Sequence, residues 1–150
     1  MRSVFVALGL ACVVLAAPAR AAEPSAAEKA AVFKAAGFKA KGGQYVRCED
    51  DVTASFSPGR IEWQDLNGDG VNEAFVLEGS LFCYGNTAEA VVIVAKNAKG
   101  EWGIVLDQVG VAVPLETKTK GWLDIEVGGP GMGPFPRYKY DGKTYVAKKK

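Results

Sequence analysis

The chain has 150 residues, with 18 lysines and arginines against 17 aspartates and glutamates, and it contains no histidine. Balanced charge supplies no field for nucleic acid or an anionic membrane. Without imidazole, Ser-His-Asp and Cys-His catalysis in their usual forms are excluded and zinc or copper sites are disfavoured, which leaves carboxylates, lysine, tyrosine and a hard-metal site as chemical resources.

The N-terminal stretch is read as a targeting segment. Arg2 gives a short positive region, residues 4–15 are an apolar run too short to span a bilayer, and "APARA" at 17–21 puts small residues at cleavage spacing. Residues 1–21 are therefore expected to be a secretory signal peptide cut after Ala21, with Ala19 as the other choice. Lipidation at Cys12 is disfavoured by Gly9 three residues before it and by the very short apolar stretch that precedes it.

Residues 22–150 then form one exported domain without a transmembrane segment. Without Arg2 and Arg20 it carries 16 basic and 17 acidic residues, and its one basic run, "KKK" at 148–150, reads as a solvated tail. Cys48 and Cys83 are its two cysteines, and in an oxidising compartment a disulfide between them is the simplest account.

"PSAAEKAAVFKAAGF" at 24–38 predicts an amphipathic helix. Ser25 is the expected cap, Glu28 completes a capping box, and Gly37 before Phe38 suits the stop, with Ala30, Phe33 and Ala36 as a narrow apolar stripe laid on a sheet. From Gln44 onward the period shortens toward two. "QYVRC", "RIEWQ", "EAFVLEG", "EAVVIVAK", "EWGIVLD", "GWLDIEV", "RYKY" and "KTYVA" predict short strands. "NAKG" at 97–100 and "DG" at 141–142 predict antiparallel hairpins. Residues 91–94 are apolar at every position, which predicts a strand covered on both faces, by the helix on one. The fold class expected is α+β, a mainly antiparallel sheet with one N-terminal helix packed on it.

"DLNGDGVNE" at 65–73 is the most chemical stretch of the chain. Calcium takes six to eight oxygens presented by a sharply turning loop. With Asp65 as the first ligand, Asn67, Asp69, the Val71 carbonyl and Glu73 fall at alternate positions, and Gly70 stands at the turn. Val76 occupies the place where an EF-hand carries its bidentate glutamate, and the flanks alternate like strands, so the EF-hand reading fails. The alternative without metal is an Asn/Asp-Gly hairpin whose side chains cap their own turn. Crowding of three carboxylates and an amide favours a neutralising cation, and the absence of any assignable acid or base beside it makes that calcium structural.

The stretch resembles the strand-loop-strand calcium turn of FG-GAP and VCBS type repeats, matching D-x-N/D-x-D-G-x-x-D/E at Asp65, Asn67, Asp69, Gly70 and Glu73. Members of that family carry several such loops in a propeller, whereas this chain has one. More widely, the order "AAGF", an isolated cysteine, "DLNGDG", "CYG", "GWLDIEVGGPG" and a final "DGKTY" is similar to a group of small exported bacterial proteins of no established function.

Three further features are weighed. "GWLDIEVGG" places Trp122, Asp124 and Glu126 on one strand face, which suggests either a solvated face or an acid pair for glycoside hydrolysis. "GGPGMGPFPRY" at 128–138 is a stiff Pro/Gly loop whose Met132, Phe135 and Tyr138 are candidates for partner docking. "CEDD" at 48–51 reads as a turn ahead of a second acidic site. The reading is a periplasmic or secreted, non-catalytic binding protein with a structural calcium loop, its partner an envelope or extracellular protein. The alternatives are a carboxylate-dependent hydrolase of cell-wall or glycan material using Asp124 and Glu126, and an inhibitor of an extracellular hydrolase such as lysozyme that blocks with 128–138.

Overall fold

A computed structural model describes residues 23–131 and 134–148. The expected signal peptide, Cys12, Met132 and the last two lysines lie outside the described residues.

The chain runs α1 (Ala26–Ala35), β1 (Lys39–Lys41), β2 (Gln44–Val46), β3 (Ser57–Gln64), β4 (Glu73–Gly79), the short α2 (Leu81–Tyr84) with a 3₁₀ turn (Gly85–Thr87), β5 (Glu89–Lys96), β6 (Trp102–Val109), β7 (Val111–Thr119), β8 (Trp122–Gly128), β9 (Arg137–Tyr140) and β10 (Tyr145–Ala147). Strands β3 to β6 form one four-stranded sheet in chain order, and β7 to β10 form a second, with every pair antiparallel. A separate two-stranded hairpin, β1 with β2, follows the helix. The α+β fold class expected from the sequence is the one observed.

Local chemistry accounts for the helix. The Ser25 hydroxyl accepts from the Glu28 N–H at 3.1 Å, satisfying one of the free donors of the first turn. The reciprocal half of the capping box is absent, because the Glu28 carboxylate instead pairs with Lys96 of β5 at 2.7 Å. At the far end Phe38 N–H donates to Phe33 O and Gly37 N–H to Lys34 O, a Schellman stop. It is closed by the contact of the Phe33 and Phe38 rings, 5.7 Å apart. The buried stripe is Val32, Phe33 and Ala36, with Ala30 half-buried.

Strand alternation sorts the apolar residues into two cores. Ala74, Val76, Val92 and Val94 face the helix and pack on Val32, Phe33, Ala36 and Phe38. Their neighbours Phe75, Leu77, Val91 and Ile93 face the second sheet and pack on Ile125, Val127 and Tyr145. The central strands β4 and β5 are thus covered on both faces, as the unbroken apolar run at 91–94 predicts. The result is three layers: helix, first sheet, second sheet.

Gly110 makes the corner between the sheets. Its φ is +140°, and a Cβ there would stand 2.6 Å from the Gly128 carbonyl oxygen. Only glycine permits this turn and this approach, and its N–H is used, donating to Glu89 O at 2.8 Å.

The hairpins at 97–100 and 141–142 form as expected, with Asn97 Oδ1 accepting from the Lys99 and Glu101 N–H groups and Asp141 Oδ1 from those of Lys143 and Thr144. Strand β7 was not among the expected strands. Pro114 at its centre argues against a strand interior, yet β7 is the edge of its sheet, where a missing N–H is tolerated. The short α2 was not expected either.

Candidate functional site

The 65–73 loop joins β3 to β4 and is organised by its own polar side chains. Asp65 Oδ1 accepts from the N–H groups of Asn67 (3.2 Å) and Gly68 (2.7 Å), and Oδ2 from that of Gly70 (3.0 Å). Asn67 Oδ1 accepts from Asp69 N–H at 2.8 Å and Asp69 Oδ1 from Val71 N–H at 2.7 Å. Glu73 closes the ring, its two oxygens accepting from Leu66 N–H (2.7 Å) and Asn67 Nδ2 (3.1 Å). Gly68 and Gly70, at φ +81° and +83°, allow the two reversals.

The loop has a rigid foot. Leu66 is fully buried in the core between the sheets, and its carbonyl accepts from Leu123 N–H of β8 at 2.8 Å. Glu73 is only 3% exposed. Burial, with the nearby charges of Asp69 and Asp65, pushes its carboxyl up to about 7, while the Leu66 N–H opposes the rise. Asp65 is held below the ordinary carboxylate range, chiefly by the Gly68 N–H and then by that of Gly70, against desolvation.

The loop therefore brings Asp65, Asn67 and Glu73 into one hydrogen-bonded ring, with Asp69 and Val71 exposed on its outer side. Among the described residues no three acidic or thiol side chains stand close enough to form a ready cage. By class the donors fit calcium: three N–H groups take three of the roughly four acceptor sites of Asp65 and leave one on Oδ2, and the carboxylates of Asp69 and Glu73 keep unused sites as well. A buried carboxylate beside two more negative groups also gains from a cation.

Cys48 and Cys83 are joined as expected, with Cα atoms 6.1 Å apart. Around them lies a polar network that sequence reading missed. Glu78, fully buried on β4, accepts from the N–H groups of Arg47 (2.8 Å) and Cys48 (2.9 Å) and from the Tyr84 hydroxyl. Burial, followed by that bond to Glu78, pushes the Tyr84 hydroxyl well above its ordinary range. The Ser80 hydroxyl donates to Asp51 at 2.6 Å and accepts from Cys83 N–H at 2.8 Å. "CEDD" is a turn: Asp51 also holds the Thr53 N–H, and Glu49 pairs with Lys39.

The solvated face expected for Trp122, Asp124 and Glu126 is not observed. Asp124 is 3% exposed and accepts from the hydroxyls of Thr117 (2.8 Å) and Thr119 (2.6 Å). The cause is an irregularity in β7, where the register shifts between Pro114 and Lys118 and folds both threonines over the carboxylate. Trp122 stacks on Tyr140 at 4.3 Å and joins the core, while Glu126 pairs with Arg137 at 2.9 Å.

Gly128, Gly129, Pro130 and Phe135 line a groove. Phe135 lies against Gly128, close enough that a Cβ there would meet its ring at 3.1 Å. Val111 and Val113 on the outer face of β7, about half exposed, form the opposite wall of a groove of about 440 Å³, with Glu126 at its floor and Thr87 at one end. Of Phe135 and Tyr138, the two described residues expected to dock a partner, only Phe135 lines it. Tyr138 turns inward, because β9 alternates and places it opposite Ile125; its hydroxyl donates to Gln108 at 2.8 Å. Val111 and Val113 were missed because they lie on β7, which was not among the expected strands.

Comparison with protein families, with characterised proteins and with solved structures finds no match for this chain. Among the described residues no helix is long and apolar enough to cross a membrane.

Proposed function

We propose that this chain is an exported, non-catalytic binding protein whose acidic loop takes up calcium as a structural ion. The groove between β7 and Phe135 carries the binding reading: half-exposed valines facing an aromatic ring over a stiff Pro/Gly segment make a preformed apolar surface with little ordering cost. The partner it suits is an envelope or extracellular protein that inserts an apolar side chain beside the Glu126–Arg137 pair. The Cys48–Cys83 disulfide supports an oxidising destination, in keeping with the signal-like residues 1–21. The hydrolase alternative loses its support, because Asp124 is buried and holds two threonine hydroxyls.

Capture from the envelope fraction of the producing cell tests the groove. Immobilised protein is expected to retain a partner that Val113→Lys does not, with the unfolding temperatures of the two forms within a few degrees. Equal capture by both forms, or none by either, rejects the groove as the binding surface. A lysozyme inhibition assay on the same pair reads out the inhibitor alternative.

Asp65, Asn67, Asp69, the Val71 carbonyl and Glu73 are the proposed calcium ligands, supported by the resemblance to FG-GAP and VCBS loops and by the buried carboxyl of Glu73 beside Asp65 and Asp69. Extracellular modules of this kind bind at roughly 10⁻⁴ to 10⁻³ M, so millimolar calcium adds about 0.4 to 1.4 kcal/mol of stability by mass action. Calorimetric titration of chelator-treated protein with Ca²⁺ checks it: heat of binding is expected, together with a raised unfolding temperature. Absence of both refutes the ion.

A further inference from the structure

On the helix side of the first sheet, remote from the groove at Phe135, two shallow clefts meet at one indole. The first, of about 250 Å³, runs between Trp63 and the first turns of α1, past Glu23 and Lys29. The second, of about 180 Å³, runs from Trp63 to Trp102, between the Glu28–Lys96 pair and the Asn72 rim of the acidic loop. The two rings stand with centroids 5.9 Å apart and planes inclined by 57°, the walls of an angled trough.

Both indoles are half-buried. Trp63 lies on β3, the edge strand of its sheet. One side of its ring packs on the helix-sheet core, and the remainder forms a wall of each cleft. Trp102 is braced from its own side by the Lys96 ammonium, 4.8 Å over the ring, which Glu28 holds in place at 2.7 Å.

The charges around the trough cancel: Glu23 and Glu28 stand against Lys29 and Lys96, and Asn72 adds a neutral amide. An aromatic platform rimmed by balanced donors and acceptors selects a ligand that is apolar on a flat face, polar around its edge and without net charge. A pyranose ring has that form. Its axial C–H bonds suit the negative face of an indole, and its hydroxyls meet ammonium donors, carboxylate acceptors and an amide that serves as both. An apolar peptide would desolvate those edge groups without pairing them, and a charged polymer would gain nothing from a rim whose charges cancel.

We propose that the Trp63–Trp102 trough is a subsite for a neutral oligosaccharide, with the uncovered part of the Trp63 ring as the stacking platform and the two clefts that meet there receiving consecutive rings. It shares no residue with the groove at Phe135, so the two sites stand or fall separately.

Titration of the folded protein with cello- and chito-oligosaccharides, followed by indole N–H resonances and tryptophan fluorescence, tests it. The Trp63 and Trp102 signals are expected to shift, and that of Trp122, stacked on Tyr140 in the core, to stay. Trp63→Phe keeps an aromatic contact with the core but shrinks the platform, and is expected to bind about tenfold more weakly. Phe135→Ala is expected to bind sugar unchanged. The assignment is overturned if neither oligosaccharide moves the Trp63 signal at millimolar concentration, or if folded Trp63→Phe and Trp63→Ala both bind as tightly as the parent.

Discussion

Asp65 receives three backbone N–H groups of its own loop, so replacing it has separable consequences. Asp65→Ala hands those rim donors to water and loosens the turn, and is expected to lower stability by about 1 kcal/mol, read from the urea midpoint. Glu73→Gln keeps an acceptor for the Leu66 N–H, gives up the one for Asn67 Nδ2 and removes the ionisable carboxyl. It is expected to leave calcium-free stability within about 1 kcal/mol of the parent while abolishing the rise in unfolding temperature on adding Ca²⁺. Asp51 gives a pH signature. The Ser80 hydroxyl, then Thr53, hold its carboxyl below the ordinary range. A carboxylate with a lowered folded-state value stabilises the fold above its unfolded value and loses that contribution as pH falls through the folded one. Urea midpoints should therefore decline below about pH 4, and Asp51→Asn should flatten that decline. At this scale the ligand-type residues of 65–73 were legible, because oxygen donors at alternate positions around glycines are a local pattern. The partners of Glu78 and Asp124 were not, since each lies in a different segment from its donors.

Helix α1 shows how far element-level signals carry. Its cap, its stop and its buried face all follow from residues within one or two turns, and Ser25→Ala is expected to cost about 1 kcal/mol in denaturant unfolding. The second half of the capping box failed because a tertiary partner, Lys96, offers Glu28 a full charge where the backbone offers only an N–H. Strands β4, β5 and β8 matched their sequence signals to within a residue or so. Strand β7 did not, since a central proline is a warning whose force depends on whether the strand is an edge, and edge position is a property of the assembled sheet. The same assembly decided the fate of Trp122, Asp124 and Glu126. Alternation placed them on one face, and the irregularity in β7 then buried the middle one.

At the scale of the whole molecule, β3 to β10 of the described residues follow one another as an antiparallel meander, folded once at Gly110 into two packed sheets and clamped on one flank by a disulfide. Gly110→Ala brings a side chain to within 2.6 Å of a backbone oxygen at a positive φ, and is expected to cost about 3 kcal/mol or more. Cys48 and Cys83 are 35 residues apart, and opening that loop by replacing both with serine is expected to cost about 4 kcal/mol in the chain-entropy model. Thermal unfolding of each variant against the parent reads both.

Composition, period and turn chemistry by themselves determined the α+β class, the helix and its limits, most strands, the two hairpins, the cysteine pair and the acidic loop. Each of these depends on residues near one another in the chain, or on a pairing for which only one choice existed. The tertiary structure alone decided that the strands part into two sheets at Gly110, that Leu66 anchors the loop to β8, and that Asp124 is sealed by threonines while Tyr138 turns inward. It alone placed two tryptophans, 39 positions apart in sequence, on either side of one trough. Those outcomes depend on which faces are left uncovered once the layers pack, and no local pattern encodes the position of a neighbouring layer.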